Sequence, residues 1–117
     1  MNFEECITAH SNVKLKLRRY LSNTDGSISA ADLSKDDLCE LGKWIKGEGK
    51  KYAAEPAYKE LVLEHAQFHK CAGDIVSKCD KGDKAKAEEA LNATSEFSKH
   101  SLNVVIKIQA IKKLQAH

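Results

Sequence analysis

The sequence predicts an all-α protein, and three observations carry that prediction. Apolar residues recur at intervals of three and four along most of the 117 residues, the period of helices with one buried face. Pro56 is the only proline, so ring closure interrupts the pattern at a single point. Clusters of turn residues divide the chain into four helical segments, with no internal repeat and no low-complexity tract. A hydrophobic content of 42% beside 31% charged residues is that of a globular chain. The length suits one domain over residues 1–117, with core enough that no metal is needed merely to fold.

The first segment runs from about Asn2 to Leu21, with Phe3, Ile7, His10, Leu17 and Leu21 on one side and Lys14 interrupting it. Residues Ser22 to Ser27 then form a loop of turn formers. Ser34 followed by Asp37 resembles a capping box, which predicts a short second helix from Lys35 to about Lys46, with Cys39 inside it. The stretch Gly47-Glu48-Gly49-Lys50 ends that helix, and Pro56 suits the first position of a long third one, where its missing N–H costs nothing. Gly82 fits a left-handed C-terminal cap and Asp83 the next N-cap. The fourth helix is predicted from about Lys84 to Gln115. Its distal half carries Leu102, Val104, Val105, Ile106, Ile108, Ile111 and Leu114, an arc wider than one core-facing stripe. A homodimer interface accounts for the excess; a helix wrapped by its own bundle is the other explanation.

Charge and cysteine usage exclude several classes. The net charge of +2 is spread along the chain, and the densest basic run, Lys14, Lys16, Arg18 and Arg19, reads as a solvated helix face, so no nucleic-acid partner is expected. The acidic start Met1-Asn2-Phe3-Glu4-Glu5 has no secretory core, and Val104-Val105-Ile106 is too short to span a bilayer. A cytoplasmic location without membrane insertion is expected, with Cys6, Cys39, Cys71 and Cys79 reduced.

The third segment carries the chemistry. Tyr58, Leu61, Val62, His65, Phe68, His69, Ala72, Ile75, Val76 and Cys79 form its inward stripe, placing His65 and His69 one turn apart and facing the core. Residues four apart on a helix have Cβ atoms about 5–6 Å apart, near enough for two imidazoles to converge on one ion. Two buried, hydrogen-bonded histidines fit the same stripe equally well. Further ligands would have to come from other helices. Cys39 is one candidate, with Gly42 one turn on permitting close approach, and the inward His10 is the other. Three imidazoles and one thiolate make a closed, four-coordinate site of the kind Zn2+ accepts, and the thiolate argues against calcium or magnesium. Cys6, one turn before His10, could replace or supplement it but reads, like Cys79, as a core thiol; Cys71 reads as lying toward a surface or dimer contact, His100 and His117 as solvent-exposed, and Trp44 as a packing residue.

Cys39-x-Leu-Gly-x-Trp44, followed by Pro56 and His65-x-x-Phe-His69, with His10 upstream, closely resembles the chemoreceptor zinc-binding (CZB) domain family. The resemblance spans from about His10 to the last helix. It implies a 3His/1Cys zinc set at His10, Cys39, His65 and His69 on a four-helix bundle. The expected fold is therefore an antiparallel four-helix bundle with a short second helix, dimeric as family members often are. Such domains commonly occur in the bacterial cytoplasm attached to methyl-accepting chemoreceptors or diguanylate cyclases. No HAMP segment, signalling coiled coil or cyclase motif lies within these residues, so the expectation is a free-standing member or a piece excised from a larger receptor.

Four protein ligands leave no position for a catalytic water. The residue after His65 is Ala66, so no His-Glu-x-x-His motif is present, and the inward stripes lack the carboxylates of a di-iron site. No enzymatic activity is expected. Two readings follow: a sensor in which zinc occupancy or Cys39 oxidation modulates signalling, since only the thiolate among these ligands is oxidisable, or a structural zinc staple in a dimerisation module.

Overall fold

The computed structural model describes residues 2–35, 37, 39–92 and 94–115, with only the backbone at 115. Among these the chain is all-helical and compatible with a helical bundle. It comprises α1 (Phe3–Ser22), α2 (Ala30–Leu33), α3 (Glu40–Lys46), a 3-10 turn (Glu48–Tyr52), α4 (Pro56–Asp80), α5 (Lys84–Ala90) and α6 (Glu96–Gln115).

Local sequence explains most of the boundaries. The Asn2 side chain accepts the Glu5 N–H at 3.1 Å and starts α1, with Glu4 and Glu5 placed favourably in its first turn. Pro56 occupies the start of α4 as predicted. At the other end Gly82 takes φ +80°, and the N–H groups of Gly82 and Asp83 return to the Cys79 and Lys78 carbonyls at 3.0 and 2.9 Å. This reciprocal cap satisfies carbonyls that the helix end would leave open.

Two predicted helices differ from the structure. The second starts at Glu40 and not at Lys35, and a short α2 that was not predicted precedes it. Ser34 stands at the C-terminal end of α2, its hydroxyl donating to the Ala30 carbonyl at 2.7 Å, and it is not the N-cap of α3. The N-cap of α3 is Cys39, which therefore lies just outside the helix, its Sγ accepting the Gly42 N–H at 3.4 Å. The predicted fourth helix breaks between α5 and α6. There the Asn92 side chain accepts the Thr94 N–H at 3.1 Å and the Ser95 hydroxyl accepts the Ser98 N–H at 3.2 Å. Short polar side chains offer the backbone local partners and end one helix while capping the next.

Three long helices, α1, α4 and α6, surround a core that includes Leu17, Leu61, Phe68, Ile75, Val104, Ile108 and Ile111, all essentially inaccessible to solvent. Along α4 and α6, Phe68 stacks on Phe97, Glu64 bonds His100 and Glu60 pairs with Lys107, so contacts descend one helix as they ascend the other. The segment from α2 to α3 meets α4 with the same descending order. Ala30 and Ser34 lie against Gly73, the Leu33 carbonyl against His69, Cys39 against His65, and the Ile45 carbonyl takes the Tyr58 hydroxyl at 2.6 Å. Phe3 packs edge-on to Trp44 with centroids 5.4 Å apart, closing that end, and Trp44 is the packing residue the sequence suggested. Tyr20 reaches Asp80 at the other. Val104, Ile108 and Ile111 fill the core, whereas Leu102 and Ile106 are exposed, so the chain's own bundle does not wrap the whole apolar arc of α6. No helix among the described residues is long and apolar enough to cross a membrane.

The contact at Gly73 fixes α2 in place. A Cβ there would lie 1.8 Å from Ser34 Oγ and 2.9 Å from the Ala30 carbonyl oxygen, closer than packing permits. Gly73→Ala should therefore lower stability by roughly 1–2 kcal/mol, overpacking outweighing the better helix propensity of alanine. Urea denaturation tests this; an unchanged midpoint would show that α2 does not seat there.

Candidate metal centre

The site is assembled from three stretches of chain that the fold brings to one point. Helix α1 contributes His10, α4 contributes His65 and His69 one turn apart, and the residue before α3 contributes Cys39. One donor atom from each lies within 4.8 Å of every other, and among the described residues this is the group of histidine, cysteine and acidic side chains with such convergence. The His65 and His69 Nε2 atoms are 3.0 Å apart. Cys39 Sγ lies 3.2 Å from His65 Nε2, 3.5 Å from His69 Nε2 and 4.0 Å from His10 Nε2. A tetrahedral zinc with ordinary bond lengths sets its nitrogens about 3.3 Å apart and its sulfur about 3.6 Å from each nitrogen. The donors already stand close to that figure.

Hydrogen bonding outside the cluster points the rings inward. His10 Nδ1 is 2.8 Å from the Cys6 carbonyl and His69 Nδ1 is 3.0 Å from the Leu33 carbonyl. A carbonyl only accepts, so both Nδ1 atoms carry the proton and both Nε2 atoms present a lone pair to the centre. Converging lone pairs repel unless a positive centre lies between them. The donor set thus fits a cation, and one thiolate with three imidazoles suits zinc better than the hard oxygen-seeking ions.

Burial sets the protonation. The three histidines are 3%, 1% and 5% exposed for His10, His65 and His69, which leaves little water to solvate an imidazolium. Desolvation holds His10 below the ordinary imidazole range, the neighbouring His69 adding to the effect against the Cys6 carbonyl. Desolvation, then repulsion from His69 and His10, pushes His65 down to about 3. Neutral rings are the form that ligates. The Gly42 N–H donates to Cys39 Sγ at 3.4 Å.

The remaining sequence candidates fall outside the centre. Cys6 contributes its carbonyl rather than its sulfur, and burial, with Glu40 and Cys39 adding, pushes its thiol up to about 11. Cys79 is buried in the core as expected, and Cys71 is half-buried. His100 is not the solvated residue that its polar neighbours suggested: it is half-buried, its Nδ1 2.5 Å from Glu64 on α4, because α6 lays its first turns against that helix. His117 lies outside the described residues. Sequence reasoning missed the Leu33 carbonyl, since backbone atoms carry no residue-type signal, and Gly73, whose lack of a side chain admits α2.

Fold and donor set define a helical domain built around a three-imidazole, one-sulfur cluster. Comparison with protein families matches residues 10–76 to the chemoreceptor zinc-binding domain, and the chain belongs to that family. The matched stretch begins at His10 and contains the other three donors. Neither the curated proteins nor the solved structures compared with the chain gave a match.

The depressed histidines predict the acid response of the metal-free protein. Their ordinary value is 6.5, so as pH falls below it the unfolded chain takes up protons that the folded chain refuses. Stability should then decline with falling pH, at about 1.4 kcal/mol per pH unit for each ring withheld from protonation. Denaturation midpoints between pH 7.5 and 5 measure this, and a flat profile would mean that the rings are not buried neutral.

Proposed function

We propose that the chain is a zinc-dependent regulatory module in which His10, Cys39, His65 and His69 hold one Zn2+ and the occupancy of that site, or oxidation of the Cys39 thiolate, modulates signalling. The observation that carries this reading is the asymmetry of the donor set. Three ligands are buried imidazoles on long helices, while the fourth is a half-buried thiolate on the short segment that links α2 and α3. Family membership supports zinc as the ion.

The bundle is read as four antiparallel rods, the α2–α3 segment serving as the broken second rod. Zinc ties that rod to α1 and α4. When the ion is bound, it supplies a positive centre that keeps the thiolate deprotonated and the four donors together. Loss of Cys39 as a ligand frees the segment, and the change is passed to a partner or output domain. The exposed Leu102 and Ile106 on α6 support a homodimer as the assembly. We take the module to be cytoplasmic and non-catalytic, with four protein ligands filling the coordination sphere.

The ligand assignment predicts one zinc per chain by elemental analysis. Cys39→Ala should weaken zinc affinity by at least 10²-fold, because one of four bonds and the only anionic ligand are lost, while Cys71→Ala leaves it unchanged. Equal affinities for the two variants would refute the assignment.

Oxidation separates the sensor from the staple. Hydrogen peroxide transfers an oxygen to the Cys39 sulfur, forming an S–O bond as the O–O bond breaks and hydroxide departs; the sulfenic product is a weaker ligand. Zinc release should track the loss of the Cys39 thiolate and accompany a modest fall in helix content. Zinc retained on a protein whose Cys39 is oxidised would leave the ion as a structural staple.

A further inference from the structure

We propose that the cleft between α1 and α2 is the port through which zinc reaches and leaves the donor set, an inference that rests on the metal site proposed above. The three imidazoles are almost wholly inaccessible, and Phe68, itself fully buried and stacked on Phe97, closes the side behind them, with its ring 5.3 Å from that of His10 and 5.4 Å from that of His69. Cys39 alone among the four is half-buried. An open cleft of about 430 Å3 leads to it. Its lining runs from the exposed Lys16 of α1 and Asp32 of α2, through the half-buried Ile28, Leu33 and Cys39, to the buried His69.

The order of ligand exchange follows from that geometry. Cys39 and His69 line the cleft and would be the first donors available to an ion entering there, while His65 and His10 do not line it and would complete the set from the buried side. The lining is also tied to a ligand, because the Leu33 carbonyl that borders the cleft is the one that orients the His69 ring. The position of α2 on Gly73 thus sets both the width of the port and the aim of one of its two outer ligands.

The test is the rate of zinc exchange. Zinc-loaded protein is mixed with excess chromogenic chelator to follow release, and metal-free protein with free Zn2+ to follow uptake. Lys16→Trp, at an exposed position of the lining, should slow uptake and release together by at least fivefold and leave Kd within twofold of the parent. Lys16→Ala, which removes the charge without adding bulk, and Lys59→Trp, at an exposed position on α4, should slow neither. Unchanged rates in Lys16→Trp would overturn the port. So would a change in release alone with a matching change in Kd, since the new side chain would then act on the ligands and not on the path. Failure of the parent protein to bind zinc would instead overturn the metal site.

Discussion

The structure depends on one electrostatic constraint: three imidazole nitrogens and a sulfur are directed at a common point within a protein interior. The Cys6 and Leu33 carbonyls fix two of the rings with their lone pairs inward, and burial holds His10 and His65 neutral. Without a cation the cluster's own contacts, His65 Nε2 to His69 Nε2 at 3.0 Å and Cys39 Sγ to both, have to satisfy these polar atoms in a medium of low polarity. A cation at the centre adds an attraction to each donor that outweighs the repulsion among them. The elements that bring the donors there, α1, α4 and the α2–α3 segment, are held in register by packing that reaches from the Phe3–Trp44 contact to the Tyr20–Asp80 hydrogen bond.

The donors are not held equally. His65 and His69 share one helix whose inward face is continuous core, and α6 braces that helix from behind through Phe97 and Val104. Cys39 precedes a helix of seven residues, and its Sγ accepts the Gly42 N–H as the N-cap of that helix. The proposed response to oxidation rests on this difference between a cysteine at the start of a short helix and imidazoles on long ones.

Much of this was legible in the chain. The spacing of His65 and His69 within an apolar stripe identified two donors, and their burial follows from the same periodicity that makes α4 a helix. His10 was legible for the same reason on α1. Cys39 could be paired with them because Gly42 and Trp44 mark a distinctive local pattern. The later start of the second predicted helix and the division of the fourth were not legible, since a serine that caps forward and one that bonds backward look alike in sequence. Ser34 is settled by its tertiary seat against Gly73, and the break before α6 by the competing bonds of Asn92 and Ser95. His100 misled for a related reason: polar neighbours along the chain said nothing of Glu64 waiting on another helix. Backbone groups such as the Leu33 carbonyl lie beyond any reading of residue types.

The central claim is that one ion sits among three nitrogens and one sulfur, and X-ray absorption at the zinc edge of the zinc-loaded protein tests it most directly. The account predicts a four-coordinate first shell with one sulfur at about 2.3 Å and three imidazole nitrogens at about 2.0–2.1 Å. A shell lacking sulfur, or containing two or more, would contradict it.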